Sequence, residues 1–151
     1  DYPSTRLVLI GRPQDGRTIV EHGIEHRHFV PRQELLGSIF PRADILILPS
    51  RAEGFGLVIV EAMSLTLPSI AVDAWAMPEI IQDGLNGFLI RPDSIDDLVD
   101  SMVRIVRQRD LLFMMRRYSR EVFRQKFSIE VHNQALQKIY ESTLANTRHC
   151  A

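Results

Sequence analysis

Apolar positions along this chain form short unbroken runs through the first two thirds and a helical rhythm in the last third. Leu7-Val8-Leu9-Ile10 ends at Gly11, and Ile45-Leu46-Ile47-Leu48 ends at Pro49. Ile70-Ala71-Val72 follows Pro68-Ser69, and Gly87-Phe88-Leu89-Ile90 lies between Asn86 and Pro92. Runs of this length, apolar at successive positions, predict strands covered on both faces. Residues 26–30 read as a weaker strand closed by Pro31. Between them the pattern predicts short helices over 18–24, 33–40, 58–63 and 78–81, the last opened by Pro78. Strand and helix thus alternate from Leu7 to Ile90, the pattern of a doubly wound parallel α/β sheet. Residues 45–48 are expected to be its central strand, with 49–54 at its C-terminal edge.

From Ile95 the period changes. Ile95, Leu98, Val99, Met102, Val103 and Val106 recur at helical spacing, with Asp96, Asp97 and Asp100 early and Arg104, Arg107 and Arg109 late, as the helix dipole favours. A second helix is expected over 111–124. Ser128 suits the N-cap of a third, which carries Val131, Ala135, Ile139, Tyr140 and Leu144.

The composition is that of a globular domain: 151 residues, 45% hydrophobic, 25% charged, net charge −1. One domain over 1–151 is the expectation. That charge balance provides no field to recruit nucleic acid or a membrane surface. Cys150 is the only cysteine, so no intrachain disulfide is possible and a cytoplasmic setting is expected. No apolar run approaches the roughly 20 residues of a membrane span. A first residue of Asp1 instead of methionine reads as a fragment.

Residues 49–61, Pro-Ser-Arg-Ala-Glu-Gly-Phe-Gly-Leu-Val-Ile-Val-Glu, hold the candidate chemistry. They join a strand to a helix through a glycine-containing turn. In a parallel sheet, ligands sit at the edge where helices begin, because unpaired N–H groups and the positive end of the helix dipole face that crevice. Gly54 and Gly56 permit close approach of a ligand to the backbone. Glu53 before the helix and Glu61 within it bracket that position, which suits a phosphate flanked by polyols. Taken alone, Glu53 is equally well a solvated loop acid, Glu61 a salt-bridge partner and the glycines a tight turn.

In the form Glu-Gly-Phe-Gly-Leu-x-x-x-Glu-Ala after Pro-Ser, the stretch resembles the signature of retaining GT-B glycosyltransferases, glycosyltransferase family 4 in particular. The resemblance continues through Leu67-Pro68, Pro78-Glu79-Ile80-Ile81, residues 83–90 and Pro92, covering roughly residues 7–106. It implies a Rossmann-like domain, the donor-binding half of the enzyme. Glu53 would meet donor sugar hydroxyls and act catalytically. The loop and N–H groups of Gly54, Phe55, Gly56, Leu57 and Val58 would hold the diphosphate, and Glu61 the ribose. Val30, Pro31 and Leu35 correspond to the base pocket, with core packing an equal account of them. Trp75 and Ala76 fall on the loop beside the sugar.

The donor implied is a nucleotide diphosphate sugar, UDP-, GDP- or ADP-linked. No cofactor and no metal are implied. The acceptor, a glycan or lipid, would bind a missing N-terminal domain. The first strand and helix of this half, with the Arg and Lys that clamp the diphosphate in relatives, are also missing, and Arg12 offers some charge instead. A membrane surface would be reached only through the full-length protein. The fragment alone is expected to be inactive.

Two departures from the family pattern bear on this reading. Thr66 stands where relatives carry glycine, and Trp75-Ala76 where they carry a glycine pair. A binding module without transfer activity is therefore the alternative, and a GT-B sugar-nucleotide epimerase a further one. His22, His26 and His28 lack a Cys or carboxylate partner at ligand spacing and read as structural or exposed. Arg116, Arg117, Arg120, Arg124 and Lys126 read as a solvated helix face.

Overall fold

The computed structural model of the chain describes residues 5–13 and 16–148, so Cys150 and Asp1 lie outside the described residues. Two units divide the chain, Asp1–Ile39 and Phe40–Ala151.

In the first unit, β1 (Leu7–Ile10) pairs in parallel with β2 (Ile24–Arg27), Leu7 opposite Ile24 and Ile10 opposite Arg27. The connection between them is not the helix expected over 18–24. Thr18, Ile19 and Val20 are β-branched and resist helix, and Gly23 turns with φ 84°. The His26 ring ties this connection down instead. Its Nδ1 accepts from the Ile19 N–H at 2.9 Å and its Nε2 donates to the Gly11 carbonyl at 2.9 Å, which sets the tautomer. His28 Nε2 lies 3.1 Å from the Thr18 hydroxyl. The second strand begins at Ile24, so His28 and Phe29, expected within it, lie beyond its end. One turn of helix follows, α1 (Arg32–Glu34), continued by a π-helical turn, Leu35–Ile39. Arg27 bridges Glu25 at 2.6 Å and also pairs with Glu34, joining the end of β2 to α1.

In the second unit, a 3-10 turn (Phe40–Arg42) leads to a three-stranded parallel sheet in the order β3 (Leu46–Leu48), β4 (Ser69–Val72), β5 (Gly87–Ile90). Leu46 faces Ser69, which faces Gly87. Residues 45–48 are therefore parallel as expected but form an edge strand of this sheet. The central position belongs to β4, all four of whose residues are buried. Its Pro68-Ser69-Ile70-Ala71-Val72 sequence carries fewer large side chains than the run at 45–48, which is why apolar content pointed to the wrong strand. Gly87 is fixed by this pairing, since a Cβ there would lie 2.1 Å from the Ser69 carbonyl oxygen.

Successive side chains point to opposite faces and build two cores. Ala71, Leu46, Leu48 and Leu89 pack with Ile59 and Met63 of α2 (Leu57–Ser64) and with Met77 and Ile80 of α3 (Met77–Ile80). Ile70, Val72, Phe88 and Ile90 pack on the other face with Ile105 of α4 (Ile95–Arg107) and Leu112 and Met115 of α5 (Arg109–Val122). Coverage of both faces is what the unbroken apolar runs require.

Helix α5 also supplies Val122 to the first core, so it passes from one face to the other. It does so beneath the N-terminal ends of the strands. Ser119, buried, donates to the Asn86 carbonyl just before β5 at 3.1 Å, and Arg116 lies 3.5 Å from both the Ala43 carbonyl and Asp44, just before β3. A π-helical turn (Phe123–Phe127) ends α5, and α6 (Ile129–Arg148) follows.

Candidate functional site

The three strands of the second unit are parallel, so their C-terminal ends share one edge, and the loops 49–56, 73–76 and 91–94 leave from it. The first of these loops feeds α2. Gly56 is its N-cap, left-handed at φ 78° and buried, and a Cβ there would meet Met77 Cε at 2.6 Å. Only glycine satisfies both the dihedral and the space. The Ile59 N–H bonds the Gly56 carbonyl at 2.9 Å, whereas the N–H groups of Gly56, Leu57 and Val58 have no backbone acceptor among the described residues. These are the unpaired donors that a helix start presents. Leu57 is 67% exposed, so this end of α2 opens to solvent.

Glu53 is half-buried in the loop, and Phe55, 43% exposed, stands edge to face on Phe127 at the end of the π-helical turn. Glu61 is half-buried on α2, and its carbonyl accepts the Ser64 hydroxyl at 2.6 Å. Counted from Leu57 it is little more than one turn into the helix, closer to the helix start than the two turns expected.

The loop after β4 is brought against this helix start. Met77, whose methyl group fills the space a Gly56 side chain would need, opens α3. Ala76 is the N-cap of α3, and Trp75 beside it holds φ 52° while its side chain is 49% exposed. A tryptophan in left-handed backbone is an outlier, where a glycine would sit without strain. Among the expected site residues, the structure thus brings Gly56, Trp75 and Ala76 into one neighbourhood.

Sequence reasoning missed a fourth contributor. Arg51 Nε donates to Asp93 Oδ1 at 2.9 Å, joining the loop after β3 to the loop after β5 across the end of β4. Asp93 also has left-handed backbone, φ 56°, which Asp tolerates better than most residues. The pair is separated by too much chain for any spacing rule to reveal it. Next to it, Arg91 grips Asp97 through Nε at 2.8 Å, an NH2 at 2.7 Å and its backbone N–H at 3.1 Å. The side-chain bonds first, then the backbone bond, hold the Asp97 carboxyl well below the ordinary carboxylate range.

Val30, Pro31 and Leu35 lie together within the first unit. Val30 is buried, Pro31 is exposed as the N-cap of α1, and the Leu35 N–H bonds the Pro31 carbonyl at 3.0 Å. Arg12 is exposed in the same unit. Among the described residues, no three His, Cys, Asp or Glu side chains converge as metal ligands would.

The sequence profile of the family described as glycosyl transferases group 1 matches residues 1–108. The chain belongs to the group 1 glycosyl transferases. It is 30% identical, over 125 residues and 82% of its length, to an uncharacterized glycosyltransferase of Methanocaldococcus jannaschii, and spans 35% of that relative. It therefore represents about a third of such a protein. The C-terminal domain of the group 1 glycosyl transferase LpcC of Francisella tularensis superposes with TM-score 0.65 at 29% identity, over 72% of this chain and 56% of that one. Anabaena HepE, solved in complex with UDP, superposes with TM-score 0.81 at 22% identity, over 93% of this chain and 42% of that one.

As a group 1 glycosyl transferase, the chain has the parallel-sheet, Rossmann-like fold of the C-terminal domain of GT-B enzymes. Its glycine N-cap and helix start lie at the carboxyl end of the strands, the side on which open α/β sheets in general bind ligands. No helix among the described residues is long and apolar enough to cross a membrane.

Proposed function

We propose that the chain is the donor-binding half of a retaining GT-B glycosyltransferase of family 4, acting in the cytoplasm. The longer protein would transfer a hexosyl group from a nucleotide diphosphate sugar to a glycan or lipid acceptor. The single observation that supports this most directly is the helix start at Gly56. Three N–H groups without a backbone acceptor stand at the C-terminal edge of a parallel sheet, beside exposed Leu57 and with half-buried Glu53 just before them. Preorganised N–H donors of this kind stabilise the negative charge that gathers on a departing nucleoside diphosphate.

Each residue then has a part. Glu53 orients the donor sugar, the backbone from Gly54 to Val58 receives the diphosphate, Glu61 holds the ribose, and Val30, Pro31 and Leu35 line the base pocket. Trp75 and Ala76 border the sugar. HepE binds UDP, which favours a UDP-linked donor among the three candidates. The acceptor site, the first strand and helix of this half, and the cationic clamp on the diphosphate belong to the rest of the longer protein, and the chain alone does not catalyse transfer.

Trp75 supports a second reading, a nucleotide-sugar-binding module without transfer activity. Its strained backbone puts an indole where a glycine loop would leave room for the sugar. One pair of measurements separates the two. In the full-length protein, Glu53→Gln lowers turnover by at least a hundredfold with donor binding retained if the enzyme reading holds. A full-length protein that binds UDP-sugars but turns over neither donor nor water establishes the module. In the isolated chain, titration with UDP, GDP and ADP at about millimolar concentration, where binding is worth roughly −4 kcal/mol, shifts the amides of Gly56, Leu57 and Val58 for at least one nucleotide.

A further inference from the structure

The arginine run on α5 is not a uniformly solvated face. Arg116, Arg117, Arg120 and Arg124 line an open cleft of about 730 Å³ together with Thr66, Phe113, Glu121 and Gln125. Thr66 and Arg120 set one end of the cleft at the end of α2 opposite Gly56, and Arg124 and Gln125 extend it along α5 into the π-helical turn, whose Phe127 meets Phe55. None of its lining residues belongs to the candidate donor site, so a ligand there is independent of the function proposed for that site.

Two of the four guanidinium groups are explained by the fold. Arg116 binds the Ala43 carbonyl and Asp44, and Arg120 binds the Ser64 carbonyl at the end of α2 and stacks on Phe123. Arg117 and Arg124 are not so explained: they are exposed and have no acidic or carbonyl partner among the described residues. Glu121, the one acid lining the cleft, is engaged by Gln125 at 3.0 Å. Arginines three and four apart on one helix repel each other and weaken it. The repulsion is kept here on successive turns.

Two further features meet at the same place. Arg124 and Gln125 lie in the π-helical turn, a helix irregularity that recurs at functional sites. Thr66 holds φ 63°, a left-handed conformation that costs a β-branched residue energy and that a glycine would adopt freely. Thr66 is half-buried and lines the cleft.

We propose that this cleft is a second ligand site, which takes a phosphate group through Arg117 and Arg124. Planar guanidinium forks bind phosphate oxygens in pairs, and the Thr66 hydroxyl adds a donor. The volume exceeds what one phosphate needs, so an organic portion extends along the 63%-exposed ring of Phe113. The phosphate belongs either to a soluble phosphate ester or to a lipid headgroup.

The test titrates inorganic pyrophosphate into the labelled chain and follows backbone amides and arginine Nε–Hε signals. Saturable shifts at Thr66, Arg117 and Arg124 are expected. In Arg117→Gln/Arg124→Gln these weaken by about tenfold or more, as loss of charge-assisted bonds dictates, while any response of Gly56, Leu57 and Val58 is unchanged. Shifts confined to residues 56–58, equal movement of all arginine signals, or unaltered affinity in the double variant would overturn the proposal. Two further arms identify the source of the phosphate. Retention on phosphatidylglycerol–phosphatidylcholine vesicles that the double variant loses assigns it to a lipid headgroup. Saturable glycerol 3-phosphate binding without retention assigns it to a soluble ester, and failure of both removes the site.

Discussion

Phe55 and Phe127 stand edge to face, their ring centroids 6.2 Å apart and their planes at 70°. One belongs to the glycine-containing loop before α2, the other to the π-helical turn that ends α5. The contact fixes a loop of little regular structure against a helix that crosses the other end of the sheet. Such a pair contributes about 0.5–1.5 kcal/mol beyond its area. A double-mutant cycle of Phe55→Ala and Phe127→Ala, read by urea unfolding, should return a coupling of that size. Additive effects would show that the loop is held by other contacts.

The two glycines with filled surroundings should differ in cost. For Gly56→Ala the obstacle is the flexible tip of Met77 together with a left-handed φ, and about 1–3 kcal/mol of destabilisation is expected. For Gly87→Ala the obstacle is the Ser69 carbonyl, part of the backbone that pairs β4 with β5. Neither strand can yield, so this variant should cost more than Gly56→Ala or fail to fold. Denaturant midpoints of the two variants give the order, and the reverse order would contradict the strand register.

Thr66→Gly should stabilise the chain. Releasing left-handed strain gains roughly 1–2 kcal/mol, and the added freedom of the unfolded glycine removes about 0.4–1 kcal/mol of it. The net gain corresponds to a rise of a few degrees in Tm at this size, on the order of 2–4 °C per kcal/mol. A fall in Tm would mean that the Thr66 side chain supplies packing that outweighs its backbone strain.

Acid should act through the turn between β5 and α4. The Asp97 carboxyl is held below its ordinary range in the folded chain, so the folded state binds its proton less readily than the unfolded state, where the value is about 3.9. The Arg91–Asp97 contribution is therefore fully present above about pH 4 and is lost as pH falls below that. Asp97→Asn should destabilise at pH 7 and converge with the unsubstituted chain in strong acid. Ser94→Ala, which removes the N-cap bond to the Asp97 N–H at 3.2 Å, should cost about 0.5–2 kcal/mol and show no such pH dependence.

The apolar runs of β3, β4 and β5 were legible as strands because both faces needed cover. The run at 7–10 is also a strand, but Leu7, Val8 and Ile10 are exposed, against the expected burial. Ile95 and the acids after it marked the start of α4 at the correct place. The loop from Pro49 to Gly56 was legible because proline, glycine and a helix start come in a fixed order there. What the sequence hid depended on partners distant along the chain. The 18–24 segment looked helical until His26 took its backbone donor, and the identity of the central strand depended on which neighbours β4 found. The arginines at 116–124 looked alike by spacing, but only the fold separates the two that reach carbonyls from the two that do not. Arg51 and Asp93 meet only because β3 and β5 flank the same strand.

Helix α6 follows the π-helical turn, and every residue from His132 to Leu144 is exposed, including Leu136, Ile139, Tyr140 and Leu144. A single helix without tertiary cover is marginal in water even when its length is generous. In the isolated chain its amides should exchange with solvent far faster than those of β4, and a protease should trim it back toward Ser128 while the sheet stays intact. Recombinant work on the chain would then have a natural end point, a core that stops near the π-helical turn and stays in solution after the sticky tail has gone.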